Sequence, residues 1–158
     1  MQKILRISVV LMTCLVIGYL SGMVTRESIT TWYPTLVKPV FNPPNWIFAP
    51  VWTILYIMMG VAGGLVWTKL ESDPENVKKA FKFFVLQLAL NALWSFIFFY
   101  LHNVLLALIE VVLLLLMIYE TYKQFFKIDK NAGRLLIPYM LWVSFATILT
   151  ASIWWLNR

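Results

Sequence analysis

The chain has 158 residues, enough for one domain; 61% of them are apolar and 13% charged, a balance that excludes an ordinary soluble domain and points to the bilayer. Lys and Arg number 13 against seven Asp and Glu; in so apolar a chain that excess marks membrane-flanking loops, and no nucleic-acid partner is expected. Cys14 is the one cysteine and His102 the one histidine, which argues against a disulfide framework and against a His-based metal site.

Five segments are long enough to cross ~30 Å of hydrocarbon at ~1.5 Å per residue. They fall at about residues 4–24, 46–68, 80–100, 104–123 and 135–156 and predict an all-α integral membrane protein, one domain spanning residues 1–158 as a bundle of five transmembrane helices. Lys3 and Arg6 before the first apolar run imitate a signal peptide, but Gly18-Tyr-Leu-Ser-Gly22 lacks a small-x-small cleavage site, so this helix is expected to be retained. Between the first two spans lies an unusual stretch, in which Pro34, Pro39, Pro43 and Pro44 alternate with aromatic residues from Trp32 to Trp46. Proline fixes φ and removes a backbone donor, so this segment is expected to be a stiff loop, and long ordered loops commonly carry function. Asp73-Pro74-Glu75 suits the start of the third helix, and the brief His102-Asn103 connection makes helices three and four antiparallel neighbours.

Charge fixes the expected orientation. Lys3, Arg6, Lys69, Lys78, Lys79, Lys82, Lys123, Lys127, Lys130 and Arg134 lie on one side of a five-span bundle, and only Arg26, Lys38 and Arg158 on the other. Positive loops stay inside, so the N-terminus is expected in the cytoplasm, with the Pro/Trp loop and residue 158 outside. A bacterial plasma membrane fits this bias.

Tryptophan prefers the membrane interface, as Trp32, Trp46, Trp67, Trp154 and Trp155 do, whereas Trp52, Trp94 and Trp142 lie well inside their spans. Helical spacing puts Ala49, Trp52, Tyr56, Gly60 and Gly64 on one face of helix two, and Gln87, Asn91, Trp94 and Phe98 on one face of helix three. Leu106, Glu110, Leu113 and Met117 make a stripe on helix four; Pro138, Trp142, Phe145, Ala146 and Leu149 make one on helix five. A polar group alone in hydrocarbon is costly, so Gln87, Asn91 and Glu110 should face the bundle interior. Counted from the His102 connection at ~1.5 Å per residue, Glu110 lies roughly 9 Å below the outer boundary. A pocket in the outer half, roofed by the Pro/Trp loop, would gather flat aromatic walls with few hydrogen bonders and suit a large planar ligand. Core packing accounts for inward tryptophans equally well, and interhelical hydrogen bonding accounts for Asn91 and Gln87. No nucleophile–base pair, phosphate loop or metal-ligand cluster is legible.

The chain resembles the TspO/MBR family, the tryptophan-rich sensory proteins related to the translocator or peripheral benzodiazepine receptor. The likeness rests on Trp32-Tyr33-x-x-Leu36-x-Lys38-Pro39, Pro43-Pro44-x-Trp46 and Ala49-Pro50-x-Trp52-x-x-Leu55-Tyr56. Gln87-x-x-x-Asn91-Ala92-Leu93-Trp94 and Arg134-Leu135-Leu136-x-Pro138-Tyr139-x-x-Trp142-x-x-Phe145-Ala146-Thr147 extend it over nearly the whole length. The resemblance implies a cavity beneath the first loop, often in homodimers. It implies binding of protoporphyrin IX and of isoquinoline carboxamide or benzodiazepine-type molecules, with no resident cofactor. By motif, Trp52 and Trp142 match pocket residues linked to porphyrin binding and to light-dependent porphyrin breakdown. Tyr33, Ala49, Asn91, Trp94, Ala146 and Leu149 match other cavity positions; Phe145 belongs to the same motif, and Glu110 falls where an acidic residue is common. In animal relatives a sterol segment needs Tyr and then a basic residue after the matching Leu. Leu149-Thr150-Ala151-Ser152-Ile153-Trp154-Trp155 supplies neither, so cholesterol recognition through it is not expected.

The expected function is therefore a membrane receptor for porphyrins and related aromatic ligands, associated with stress responses, with photochemical breakdown as an added activity. Two other readings compete: a tetrapyrrole or small-molecule transporter, and a regulatory scaffold whose ligand shifts a partner interaction. Mid-helix breaks and internal repeats, which transport would favour, are missing from the sequence.

Overall fold

In a computed structural model, which describes residues 2–158, the described residues form six α-helices and five membrane-length spans, with no β-strand among them. Helix α1 (Gln2–Thr31) is followed by the first loop, α2 (Asn45–Trp67) and α3 (Pro74–Ser95). The last helix pair is α5 (Lys130–Leu135) and α6 (Ile137–Leu156), reached through α4 (Val104–Ile128). Local sequence explains the boundaries. Pro44 sits extended at φ −57°, ψ 143° and hands over to α2 at Asn45; Asn42 and Pro43, each followed by a proline, are disfavoured in the helical region, so the helix starts only after the pair. Asp73 and Pro74 begin α3 ahead of the hydrocarbon, and α1 continues to Thr31, both helices outrunning the apolar stretches at 80 and 24. The Asn103 side chain accepts from the Leu106 amide at 3.0 Å and caps α4, and Asp129 caps α5 through Asn131 and Ala132. Leu136 separates α5 from α6, whose first turn holds Pro138.

At its far end α3 widens into a π turn, Phe96–Tyr100, with the Leu101 amide donating to the Phe96 carbonyl at 3.0 Å. Such turns add one residue to a helical face and are frequent at functional sites. Here the extra residue turns both Phe98 and Phe99 inward, at 2% and 8% exposure.

The bundle has two cores. The larger, at the end away from the first loop and in the middle, joins Val10, Cys14, Met59, Ala62, Phe84, Ile118, Phe125 and Tyr139. Its tightest seam is α1 on α2. A Cβ built on Gly60 would lie 2.5 Å from the Leu11 Cα, and one on Gly64 would lie 2.5 Å from the Ile7 Cα. These two glycines let the helix backbones touch, which is small-residue packing inside the bundle. Gly22 has nothing within 4 Å of such a Cβ. The smaller core, under the first loop, joins Tyr33, Ile97, Phe98, Phe99, Ala107, Leu149 and Ile153. The exposed faces, such as Ile4, Met12 and Leu20 on α1 and Leu105, Val112 and Leu116 on α4, are apolar, as a surface meeting lipid requires.

One stripe turns out differently from the sequence expectation. Leu106 and Leu113 of α4 are 42% and 50% exposed; the inward face carries Ala107, Val111, Leu114 and Ile118, with Glu110 at its edge. Helix α4 is apolar all round, so composition cannot orient it and packing against α3 and α6 decides.

Candidate ligand-binding site

Beneath the first loop the helices part around a small cavity. Its walls are Tyr33 from the loop, Phe48 and Trp52 from α2, and Trp94, Phe98 and Phe99 from α3 and its π turn. Trp142, Phe145, Ala146, Leu149, Thr150 and Ile153 of α6 complete it. Several rings meet edge to face, such as Phe48 on Trp142 at 6.2 Å and 68° and Tyr33 on Phe48 at 6.4 Å and 89°, and others are tilted. Trp94 and Phe98 instead stack at 5.0 Å and 15°. About 30 Å³ is free between them, room for a water or two and far below the roughly 300–1,000 Å³ of a drug-sized ligand site. Aromatic rings fill most of the space between the helices here.

The loop that roofs it is held at several points. The Tyr33 hydroxyl donates to Asn42 Oδ1 at 2.6 Å, and burial pushes its phenol up to about 12, so it stays neutral and a donor at physiological pH. The Lys38 ammonium donates to the carbonyls of Tyr33 and Leu36 at 2.8 and 2.9 Å and lies 5.0 Å from the Tyr33 ring centre. Asn157, at the end of α6, clasps Val37 from both sides, accepting its N–H at 2.9 Å and donating to its carbonyl at 2.8 Å. Phe41 closes against Phe145 at 6.3 Å.

Behind the cavity runs a buried polar chain. Tyr56 donates to Asn91 Oδ1 at 2.5 Å, Asn91 Nδ2 donates to the Tyr139 hydroxyl at 2.7 Å, and Tyr139 donates to Gln87 Oε1 at 2.8 Å. It ties α2, α3 and α6 together at one level. Trp52 leans on both phenols, 5.9 Å from Tyr56 and 6.3 Å from Tyr139, so the cavity floor rests on this chain. The Trp94 indole N–H and both Glu110 carboxyl oxygens are buried without a hydrogen-bond partner among the described residues. Buried polar atoms of that kind call for an explanation.

Of the residues singled out in sequence, Tyr33, Trp52, Trp94, Trp142, Phe145, Ala146 and Leu149 line this one cavity. Asn91 and Glu110 are buried at 3% and 5% exposure but lie outside its wall, Asn91 in the polar chain. Ala49 is exposed; the neighbouring Phe48, one turn before Trp52, faces inward instead. Phe48, Phe99, Thr150 and Ile153 were missed. Phe48 had a signal, its i, i+4 spacing to Trp52, whereas Phe99 enters only through the π turn.

An all-helical, five-span bundle with a ring-lined cavity under a pinned loop defines an integral multi-pass membrane protein. The TspO/MBR family model matches residues 10–156, and the chain belongs to that family. It is 41% identical over 160 residues to the Tryptophan-rich protein TspO of Chlorobaculum tepidum, covering 99% of this chain and 98% of that one. It is 37% identical over 126 residues to the Tryptophan-rich sensory protein of Cereibacter sphaeroides, covering 80% and 77%. The Translocator protein of Bos taurus is 33% identical over 141 residues, covering 89% and 83%.

Proposed function

We propose that the protein is a membrane receptor that takes a large planar aromatic ligand, a porphyrin such as protoporphyrin IX, into the cavity beneath its first loop. Drug-like fused aromatic molecules of the isoquinoline carboxamide and benzodiazepine type belong to the same reading. The observation that carries it is the wall: three tryptophans, Trp52, Trp94 and Trp142, with Tyr33, Phe48, Phe98 and Phe145 around one space. Flat π surfaces offer a planar macrocycle dispersion contact on both faces at little conformational cost. Trp94, whose buried indole N–H has no partner among the described residues, is one of the wall residues and could supply a donor to the ligand. The word "sensory" in the name of the Cereibacter relative favours reception and regulation over transport. Binding requires the rings and the loop to part, because the cavity holds only about 30 Å³.

The test is protoporphyrin IX titrated in the dark into detergent-purified protein, followed by tryptophan quenching. Saturable binding is expected, weakened about two- to ten-fold in Trp142→Phe, the value of one aromatic contact. Binding that ignores both Trp142→Phe and Trp52→Phe sinks the reading. Illuminating the complex in air then addresses breakdown. Trp52 and Trp142 stand beside the proposed macrocycle site, and unchanged photoproducts in both variants would remove them from that chemistry.

A further inference from the structure

His102 is the chain's lone histidine and the one described non-glycine residue with positive φ, at 53°. Left-handed backbone is uncommon outside glycine and persists where surrounding contacts hold it. Two contacts do so. The Trp32 indole stacks on the imidazole, ring centres 4.2 Å apart and 17° from parallel, and Ser28 Oγ lies 3.1 Å from Nε2. Ser28 has one proton, which it donates to the Phe99 carbonyl at the end of the π turn. It must therefore accept from His102, so the neutral ring carries its hydrogen on Nε2 and takes up a further proton at Nδ1.

These contacts reach the cavity. Trp32 packs edge-on against Phe98 at 5.4 Å, Phe98 stacks on the Trp94 wall ring, and Ser28 grips the carbonyl of the wall residue Phe99. We propose that His102 and Ser28 are positioning residues that latch the cavity closed, and that protonation of His102 tightens the latch and lowers ligand affinity. The imidazolium keeps its bond to Ser28 and gains a cation–π contact with Trp32, and on this proposal opening the cavity parts Trp32 from the wall residue Phe98. Protons thus favour the closed state, and apparent affinity falls with the open fraction. Other charged groups on the packed elements are few. On α1 these are Arg26 and Glu27, neither in an ion pair among the described residues. In the first loop Lys38 is committed to the carbonyls of Tyr33 and Leu36. From α3 through the start of α4 no Asp, Glu, Lys or Arg lies between Lys82 and Glu110, Tyr100 being the other titratable group beside the turn.

The inference rests on the cavity being a ligand site, so its test has two arms. Protoporphyrin IX dimethyl ester, which has no carboxylates to titrate, is bound at pH 8 and pH 5. Wild-type affinity should fall about two- to five-fold toward pH 5, the value of an exposed cation–π contact. His102→Phe, which keeps a stacking ring, and His102→Asn, which suits the left-handed backbone, should bind with no such slope. A flat wild type, or a slope surviving in a variant that binds, overturns the latch. If the ester binds nowhere, the porphyrin reading fails, and ligand-free protein decides the latch. Its tryptophan emission should dim toward pH 5 as the imidazolium quenches Trp32, and His102→Asn and Trp32→Phe should each abolish that step. Absence of the step, or its survival in either variant, overturns the proposal.

Discussion

The two ends of this bundle solve the same packing problem in opposite ways. Away from the first loop, Gly60 and Gly64 bring α1 and α2 to backbone contact, and side chains such as Met59, Ala62, Ile118 and Phe125 are wholly buried. Under the first loop, bulky rings meet edge to face around residual space, roofed by a loop held through hydrogen bonds. Backbone against backbone cannot relax. Ring against ring can, because a rotation about χ opens or closes the gap. One end supports the fold and the other can change shape, with the Tyr56–Asn91–Tyr139–Gln87 chain as the boundary between them.

The largest expected effect breaks the rigid end. Gly60→Ala sets a methyl against the Leu11 Cα, so α1 must move away, at a cost of about 1–3 kcal/mol. Thermal unfolding in detergent should drop by several degrees, whereas Gly22→Ala, facing open space, should leave it unchanged. Equal effects would mean that the seam is not where stability lies. Next comes the boundary. Tyr139→Phe removes the donor to Gln87 and the acceptor for Asn91, leaving both buried amides short of a partner. Such bonds in membranes contribute about 0.6–1.7 kcal/mol, so a clear but smaller loss of thermal stability is expected. Because Trp52 rests on the Tyr139 ring, which those hydroxyl bonds hold in place, porphyrin affinity should fall with it. If affinity is untouched, the floor and the polar chain are independent.

Much of this division was legible in the residues. Prolines between Trp32 and Trp46 announced a stiff loop, and the Trp52 and Trp142 positions deep in apolar spans announced inward rings. Gly60 and Gly64, four residues apart on one helix face, also have the spacing of a small-residue packing pair. What stayed hidden depends on single-residue rotations. A helix turns ~100° per residue, so a stripe drawn through Ala49 rather than Phe48 looks equally helical, and only packing chooses the ring. On α4 nearly every side chain is apolar, so no moment distinguishes Leu106 from Ala107. The π turn was beyond reach for another reason. Phe96–Tyr100 carries no local signature of it, and the Phe99 carbonyl there is met by Ser28, 71 positions away in sequence.

The gentlest perturbation sharpens the comparison most, because it should touch the mobile end alone. Asn157→Ala removes both hydrogen bonds that pin Val37 while leaving every cavity ring in place. Val37 and Asn157 are exposed, so water replaces the lost partners and the cost is about 0.5–1.5 kcal/mol of loop closure. Global unfolding should barely shift, since the loop contributes little to the larger core. Amide exchange across residues 36–42 should accelerate, and ligand association should quicken about two- to ten-fold as the roof opens more often. Faster exchange without faster association would put the entry route elsewhere, between helices on the lipid side. A fall in global stability as large as that of Gly60→Ala would erase the distinction between a rigid end and a mobile one.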